Sequence, residues 1–475
     1  MKLKLIPKNE QELSKLFVLL FPLTLLFASF SSFLKDAYFT FANLIPNNKI
    51  FNYGFLDILN NQVIYGLLFT TCICLSFTYL FSKSLGRIAV LFPLLFLTLL
   101  GLVGTEFLDI IFSFFYQDRI NLTGSNSLLI ILKVLVGFGL FGLATLNLLA
   151  KKENSIFASA QFIYGAIVFY FISLLISRSE LIVFTDSLMI SSLHTSSLKY
   201  VSVSFIFLAV VHFLMTKPLG ATLFNKTLTA ISFWGFLFLL PWTNFKYYFG
   251  SVMPNWLENV SIYLSLSLLI PLLAFSVNYV KTIQTKEDEG NKSSSLMSFS
   301  VVIFLITNLL HIISSFENIL PLVGLTNFQN VINQGYIGSL VLAMISFVYY
   351  LIPKLFGRSV KYSRLEDLIF SGLKFLYPVL LINNFLIGVN SGYSWNAGAN
   401  TGSPTIYGEG FNILWGVVGI NYSTNTFISL LLMALSFLFF VSVARSISSG
   451  DVTTVEEMVF SNESVSYTHL RAHET

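Results

Sequence analysis

Neutral imidazole binds metals and haem iron and moves protons near neutral pH, so the histidines are the first residues to weigh. The chain has five, His194, His212, His311, His469 and His473. The last two lie in the terminal string SVSYTHLRAHET (464–475), which resembles translated read-through of a sequencing-library adapter and is set aside as non-native. Cys72 and Cys74 are two residues apart inside an apolar run, too close on one helix to bridge, and no Cys-x-x-Cys-His haem-attachment motif accompanies them. They are expected to pack.

Charged side chains within apolar runs are the second resource. Glu106 and Asp109 stand one turn apart and share a helix face, while Lys133 and Lys374 lie inside other runs. An ionisable group at mid-bilayer costs at least about 2.5–3.5 kcal/mol, so each needs a partner or water. A proton or ion path would use such groups. Structural pairing at helix ends is the expected alternative.

The elements that position these residues are membrane helices. A hydrophobic fraction of 55%, 11% charged residues and a mean hydropathy of +0.77 exclude an ordinary soluble domain. Roughly 20 apolar residues span the hydrocarbon core, and the continuous rather than alternating runs select helices over a barrel. Twelve spans are expected, near 13–34, 58–82, 88–116, 126–150, 155–177, 198–216, 226–248, 257–282, 294–316, 332–352, 366–391 and 424–446. They form one all-α polytopic domain over residues 1–463. The first span lacks a small-residue cleavage site and reads as an uncleaved helix.

Most of the 27 Lys and Arg fall on the N-terminal tail and on loops of the same side; the opposite face holds Lys35, Lys49, Arg119, Arg178, Lys199 and Lys246. The positive-inside rule then places both termini in the cytoplasm, with the chain in the inner membrane. Topology accounts for the basic residues, and nucleic acid is not implied.

The segment from Phe233 to Thr282 carries Phe233-Trp234, Trp242, Pro254 and Trp256, then Ser265, Pro271, Asn278 and Thr282. It resembles helices seven and eight of haem-copper oxidase catalytic subunits, most closely the cbb3-type cytochrome c oxidases and the nitric oxide reductase large subunit. Asn61, Val63, Ile64, Tyr65 and Gly66 resemble the start of the family's second helix. Ser315-Phe316-Glu317 is similar to a Thr-Phe-Glu before the tenth. Gly388, Gly392 and Trp395 are similar to a Gly-x-x-x-Gly-x-x-Trp element closing the eleventh. The resemblance runs from about residue 55 to 400. It implies a twelve-helix core, haem b and copper as cofactors, and an oxidoreductase acting with other respiratory-complex subunits.

The family's ligand positions do not carry its ligands. Two adjacent copper histidines after the helix-seven Trp correspond to Lys246 and Tyr247, and the third to Ser196. The His-x-His of helix ten, which ligates the high-spin and low-spin haems, corresponds to Gln334 and Tyr336. The remaining low-spin ligand corresponds to Leu59, and the cbb3-type redox tyrosine to Leu240. His194 points about 200° from Ser196 on an ideal helix, and His212 lies about 24 Å from it along the axis. His311 is expected to be a hydrogen-bonded bundle histidine. Lys246 is expected to snorkel outward; the alternative puts its ammonium in the copper pocket.

The resulting expectation is a cytochrome c oxidase subunit I-like membrane protein without haem or copper, a non-catalytic component of a respiratory complex. An active oxidase or nitric oxide reductase with Gln334, Tyr336 or His311 as unusual ligands is one alternative. A proton or ion conductor is another. Because voids cost about 24 cal/mol per Å3, Tyr247, Tyr336 and nearby phenylalanines are expected to fill both cofactor pockets, the tyrosine hydroxyls bonding Gln334 or backbone carbonyls.

Overall fold

Lipid offers no partner for backbone amides, so each long apolar run must satisfy its own hydrogen bonds as a helix. A computed structural model describes residues 7, 10–41, 53–81, 92–115, 127–149, 157–176, 187–216, 221–248, 254–285, 292–316, 318–323, 326, 328–360, 363–401 and 409–452. Among these are twelve helices long and apolar enough to cross a membrane. They are α1 (Glu10–Tyr38), α2 (Tyr53–Phe81), α3 (Phe92–Ser113), α4 (Ile131–Leu149), α5 (Ala158–Ile176) and α6 (Met189–Thr216). The rest are α7 (Lys226–Tyr248), α8 (Asn255–Gln284), α9 (Ser294–Ile313), α10 (Phe328–Phe356), α11 (Arg364–Gly392) and α12 (Gly419–Ser449). Each falls on an expected span. The string 464–475 with His469 and His473, and Glu317 of the Ser-Phe-Glu match, lie outside the described residues.

The helices sort into an inner set and an outer set. In α2, α6 and α10 some 89% of the most apolar stretch is buried within the protein, against 28% for α4. Around that inner trio, α1 packs on α12, α12 on α11, α9 on α10, α5 on α6, α7 on α8 and α3 on α4. Helices that face lipid need an apolar exterior, and Leu97, Leu135, Phe138 and Leu149 supply it on α3 and α4.

Three local departures from α geometry lie near the positions singled out above. Gln62–Leu68 in α2 and Ser196–Ser202 in α6 are π-helical, a widening often found at functional positions. The end of α7 tightens instead. Leu240–Trp242, with Pro241 at its start, and Phe245–Tyr248 are 3-10 turns, which turns consecutive residues 246 and 247 together into the bundle.

The core between α6, α7, α8, α9 and α10 is filled by aromatic rings. Phe207 stacks on Phe304 at 4.6 Å, and Phe236 and Phe275 meet Phe304 edge-on at 6.0 and 5.9 Å. Phe304 in turn abuts Tyr336 at 6.0 Å. Such offset and edge-to-face pairs add to the stabilisation from burial. On this side the expectation of aromatic filling holds.

Helix α11 approaches backbone where a glycine permits it. A Cβ at Gly392 would lie 1.7 Å from the Leu322 carbonyl oxygen of the short turn Leu320–Val323. The obstacle is main chain and cannot rotate away. Gly392→Val should therefore lower the melting temperature in detergent well beyond the effect of Gly104→Val, where the added Cβ meets nothing within 4 Å. Equal melting of the two variants would remove the close-approach account.

Candidate functional site

The tight end of α7 buries an amine. Lys246 has no exposed surface, and its Nζ donates to the backbone carbonyl of His311 and to Ser315 Oγ, the latter at 2.6 Å. It also lies over the Tyr247 ring, 5.2 Å from the centroid. Those oxygens belong to the last turn of α9 and the residues just beyond it. A helix C-terminus leaves carbonyls unpaired and carries about half a negative charge. The ammonium thus caps α9, and among the described residues no carboxylate pairs with it. The expectation that Lys246 snorkels outward is overturned: a helix end within reach offers the bonds that water would.

Tyr247 completes this knot. Its hydroxyl is hydrogen bonded to His311 Nδ1 at 2.9 Å and to Ser314 Oγ at 3.1 Å. His311 Nε2 is buried and has no hydrogen-bond partner. Its ring meets Tyr200 edge-to-face at 5.3 Å and Tyr336 at 6.4 Å, so an Nε2–H faces aromatic surface. Tyr336 donates to Asn308 Oδ1 at 3.0 Å, and Tyr200 to Asn244 Oδ1 at 2.8 Å. Gln329 also donates to Asn244 Oδ1, at 2.7 Å. Every buried tyrosine hydroxyl here has a partner, but none is Gln334. Asparagine, serine and histidine took that part, and only the general rule that buried hydroxyls need partners could have pointed to Asn244 and Asn308.

Residues two apart on a helix face different sides, and α10 uses this. Tyr336 faces the lysine–tyrosine knot. Gln334 faces α11: its carbonyl accepts from Tyr377, and its Oε1 accepts from Asn384 Nδ2 at 2.5 Å. Asn425 Nδ2 then donates to Asn384 Oδ1 at 2.6 Å, extending an amide chain onto α12. Leu59 is buried in α2. Ser196 is buried at the start of the α6 π-helical turn and donates to its own helix, to the Leu193 carbonyl at 3.1 Å.

Beside Gln334 the protein is not filled. A cavity of about 200 Å3 lies between α1, α2, α10, α11 and α12. Lys35, Asp57, Asn61, Asn333 and Gln334 line its polar part, with apolar residues of the same helices beyond them. The expectation that bulky side chains fill both pockets is corrected here: they fill the Tyr336 side and leave the Gln334 side open.

Of the charges, three come together. Lys133 Nζ donates to Glu106 Oε2 at 2.8 Å and to Asp109 Oδ2 at 2.7 Å, with side-chain exposures of 9%, 6% and 2%. Tyr170 donates to Glu106 Oε1 at 3.5 Å. Gly66 in α2 makes room, since a Cβ there would lie 2.4 Å from Glu106 Oε2. Lys374 stands apart, half-buried and bonded to Ser295 Oγ at 2.7 Å. His194 bonds the Ser173 carbonyl through Nδ1 at 3.1 Å. His212 bonds the Leu208 carbonyl at 2.7 Å and stacks on Phe162 at 5.0 Å. Cys72 and Cys74 are buried free thiols.

Comparison with known proteins places this arrangement. No family model matches the chain. It is 22% identical over 209 residues to the cbb3-type cytochrome c oxidase subunit CcoN1 of Stutzerimonas stutzeri, which is 42% of this chain and 43% of that one. The aligned stretch thus spans less than half of that relative. A solved structure of a haem-copper terminal oxidase dimer superposes with a TM-score of 0.67 at 15% identity, covering 92% of this chain and 85% of the other. The chain thus has the fold of a haem-copper terminal oxidase and resembles the oxidase subunit over part of its length.

Do the residues of this chain fit the cofactors that the resemblance implies? Copper opposite a haem requires three imidazoles, and haem iron requires axial donors. At the positions matching the copper ligands stand a protonatable amine already bonded to a carbonyl, a phenol bonded to His311, and a serine bonded to its own helix. The three described histidines are distributed over separate places, and no three His, Cys, Asp or Glu among the described residues cluster as a metal site. Gln334 Oε1 is committed to Asn384. These residues do not fit the set.

Two substitutions test the electrostatics. Lys133→Met leaves two buried carboxylates without their cation and should destabilise by about 3–5 kcal/mol. The triple change Glu106→Gln, Asp109→Asn, Lys133→Met should recover most of that in thermal melting. Lys246→Met should cost about 1–3 kcal/mol by removing both of its buried hydrogen bonds, although the His311 carbonyl keeps Ser314 Oγ at 2.8 Å. A Lys246→Met protein melting like the parent would disprove the cap.

Proposed function

We propose that this protein is a cofactor-free relative of the oxidase catalytic subunit that serves as a non-catalytic component of a respiratory membrane complex. The observation that carries the reading is the Lys246–His311–Tyr247 knot standing at the positions that match the copper ligands. The Lys246 amine there is already bonded to the His311 carbonyl and Ser315 Oγ, and no imidazole nitrogen replaces it. The surrounding rings of Tyr200 and Phe304 pack on Tyr336, with centroids 5.3 and 6.0 Å away. Fold alone does not transmit activity, so the site decides.

A structural role explains why the fold persists without its chemistry. Subunit I-like bundles present large helical surfaces, and partner subunits of a respiratory complex are the proposed occupants. The basic-residue distribution supports insertion in the cytoplasmic membrane with both termini inside. A proton or ion path through Glu106, Asp109 and Lys133 is the second reading. The direct contacts within that triad favour structural pairing.

Protein purified in mild detergent should contain iron and copper at far below one atom per chain by elemental analysis. Its reduced-minus-oxidised spectrum should lack a b-type haem band. One haem b per chain, or copper at unit stoichiometry, would overturn the reading.

A further inference from the structure

The cavity on the Gln334 side has a graded lining. On α1 it runs from Leu25 to Lys35, on α2 from Leu68 back to Asp57, and on α10 from Ile345 back to Asn330. At 1.5 Å per residue the α10 wall is about 22 Å long, so the space is a slot parallel to the helices. The Leu25, Leu68, Ile345 and Phe439 end is apolar and closed. The other end, at Lys35, Asp36 and Asp57, opens outward, with the Asp57 side chain 38% exposed.

The polar end is rich in acceptors. Asn333 is 7% exposed and lines the slot, and its Oδ1 has no hydrogen-bond partner. Such a group costs free energy unless a donor reaches it. Two carboxylates, Asp36 and Asp57, line this end against one lining ammonium, Lys35, which donates to Asp57 Oδ1 at 2.9 Å. Lys199, just outside the lining, bonds Asn61 Oδ1 at 3.3 Å and lies over the Tyr65 ring at 4.6 Å. A ligand for this place carries a hydrocarbon chain, a hydrogen-bond-donating cation for the carboxylates and Asn333 Oδ1, and an anionic group within reach of the two lysines.

From this geometry we infer that the slot binds a zwitterionic aminophospholipid, one acyl chain lying between α1, α2, α10, α11 and α12 and the ammonium meeting Asp57 and Asn333. The volume exceeds the roughly 150 Å3 apolar cavity that admits a benzene ring, and an apolar pocket with a few convergent polar groups is the usual form of a ligand site. Charge-assisted hydrogen bonds from an ammonium to carboxylate are the strong kind. This inference rests on the cofactor-free reading, because a haem in the same place would exclude the chain.

Full-length protein, delipidated in detergent, is titrated with lysophosphatidylethanolamine or lysophosphatidylglycerol and read by native mass spectrometry. One lysophosphatidylethanolamine per chain should be retained, about tenfold in preference to the glycerol head group. Val341→Trp, which fills the slot, should abolish retention; Ile337→Phe on the same wall serves if the first variant does not fold by circular dichroism. Asp57→Asn should erase the head-group preference while leaving some binding. No retained lipid, or retention unchanged in the filled slot, would overturn the assignment and leave the cofactor-free reading standing. A b-type haem absorbance lost on filling the slot would overturn both.

Discussion

A buried ammonium held by the C-terminal carbonyl of a neighbouring helix is the interaction on which the interior of this protein turns. Lys246 has no exposed surface and no carboxylate partner among the described residues, yet its protons meet the His311 carbonyl, Ser315 Oγ and the face of Tyr247. The α9 macrodipole supplies the negative end that a counter-ion would otherwise supply. Once that cap forms, α7 and α9 are fixed relative to one another. Tyr247 is then carried to His311, and His311 to Tyr200 and Tyr336. Helices α6, α7, α9 and α10 are linked through one lysine and its neighbours.

Much of the fold was legible in sequence because membrane helices are written in composition. Continuous apolar runs of about 20 residues marked all twelve spans, and Glu106 and Asp109, one turn apart, each needed a partner or water; both meet Lys133. Partner choice was not legible. Lys246 reads as an interfacial lysine because sequence shows a cation near a helix end and not the carbonyls of another helix. Gln334 was paired with the wrong tyrosines because residues 334 and 336 face opposite sides of α10, so the side-chain amide meets Asn384 while the phenol meets Asn308. Long-range polar contacts depend on helix rotation, which a period of 3.6 fixes only to within a residue or so.

The two sides of α10 show how differently a helical bundle can accommodate altered pockets. On the Tyr336 side, rings interlock at 4.6–6.0 Å and the hydroxyls and amides pair with one another. There, large planar side chains replace volume at little entropic cost, because few torsions are frozen. On the Gln334 side, the lining of Ser29, Ser32, Asn60 and Asn61 is small and polar, and Asn60 Oδ1 already accepts from Ser31 and Ser32 at 3.0 and 2.9 Å. Side chains tied to one another in this way cannot swing inward to close a gap. This hydrogen-bonded corner therefore keeps the polar end of the cavity open, while the rest of the lining is apolar.

The Glu106–Lys133–Asp109 triad and the Lys246 cap are contrasting answers to one problem. The triad meets an intramembrane cation with two carboxylates, leaves Asp109 Oδ1 without a partner, and spends a glycine at position 66 to fit. The cap uses only neutral oxygens and a dipole, so it brings no second desolvated charge into the interior. Because desolvation of each ion opposes the attraction between them, the neutral-oxygen arrangement is the less sensitive to repacking around it. The two answers stand in different places: the Lys246 amine lies among Tyr200, Tyr247 and Tyr336, and the triad lies between α3, α4 and α5 against Gly66 of α2.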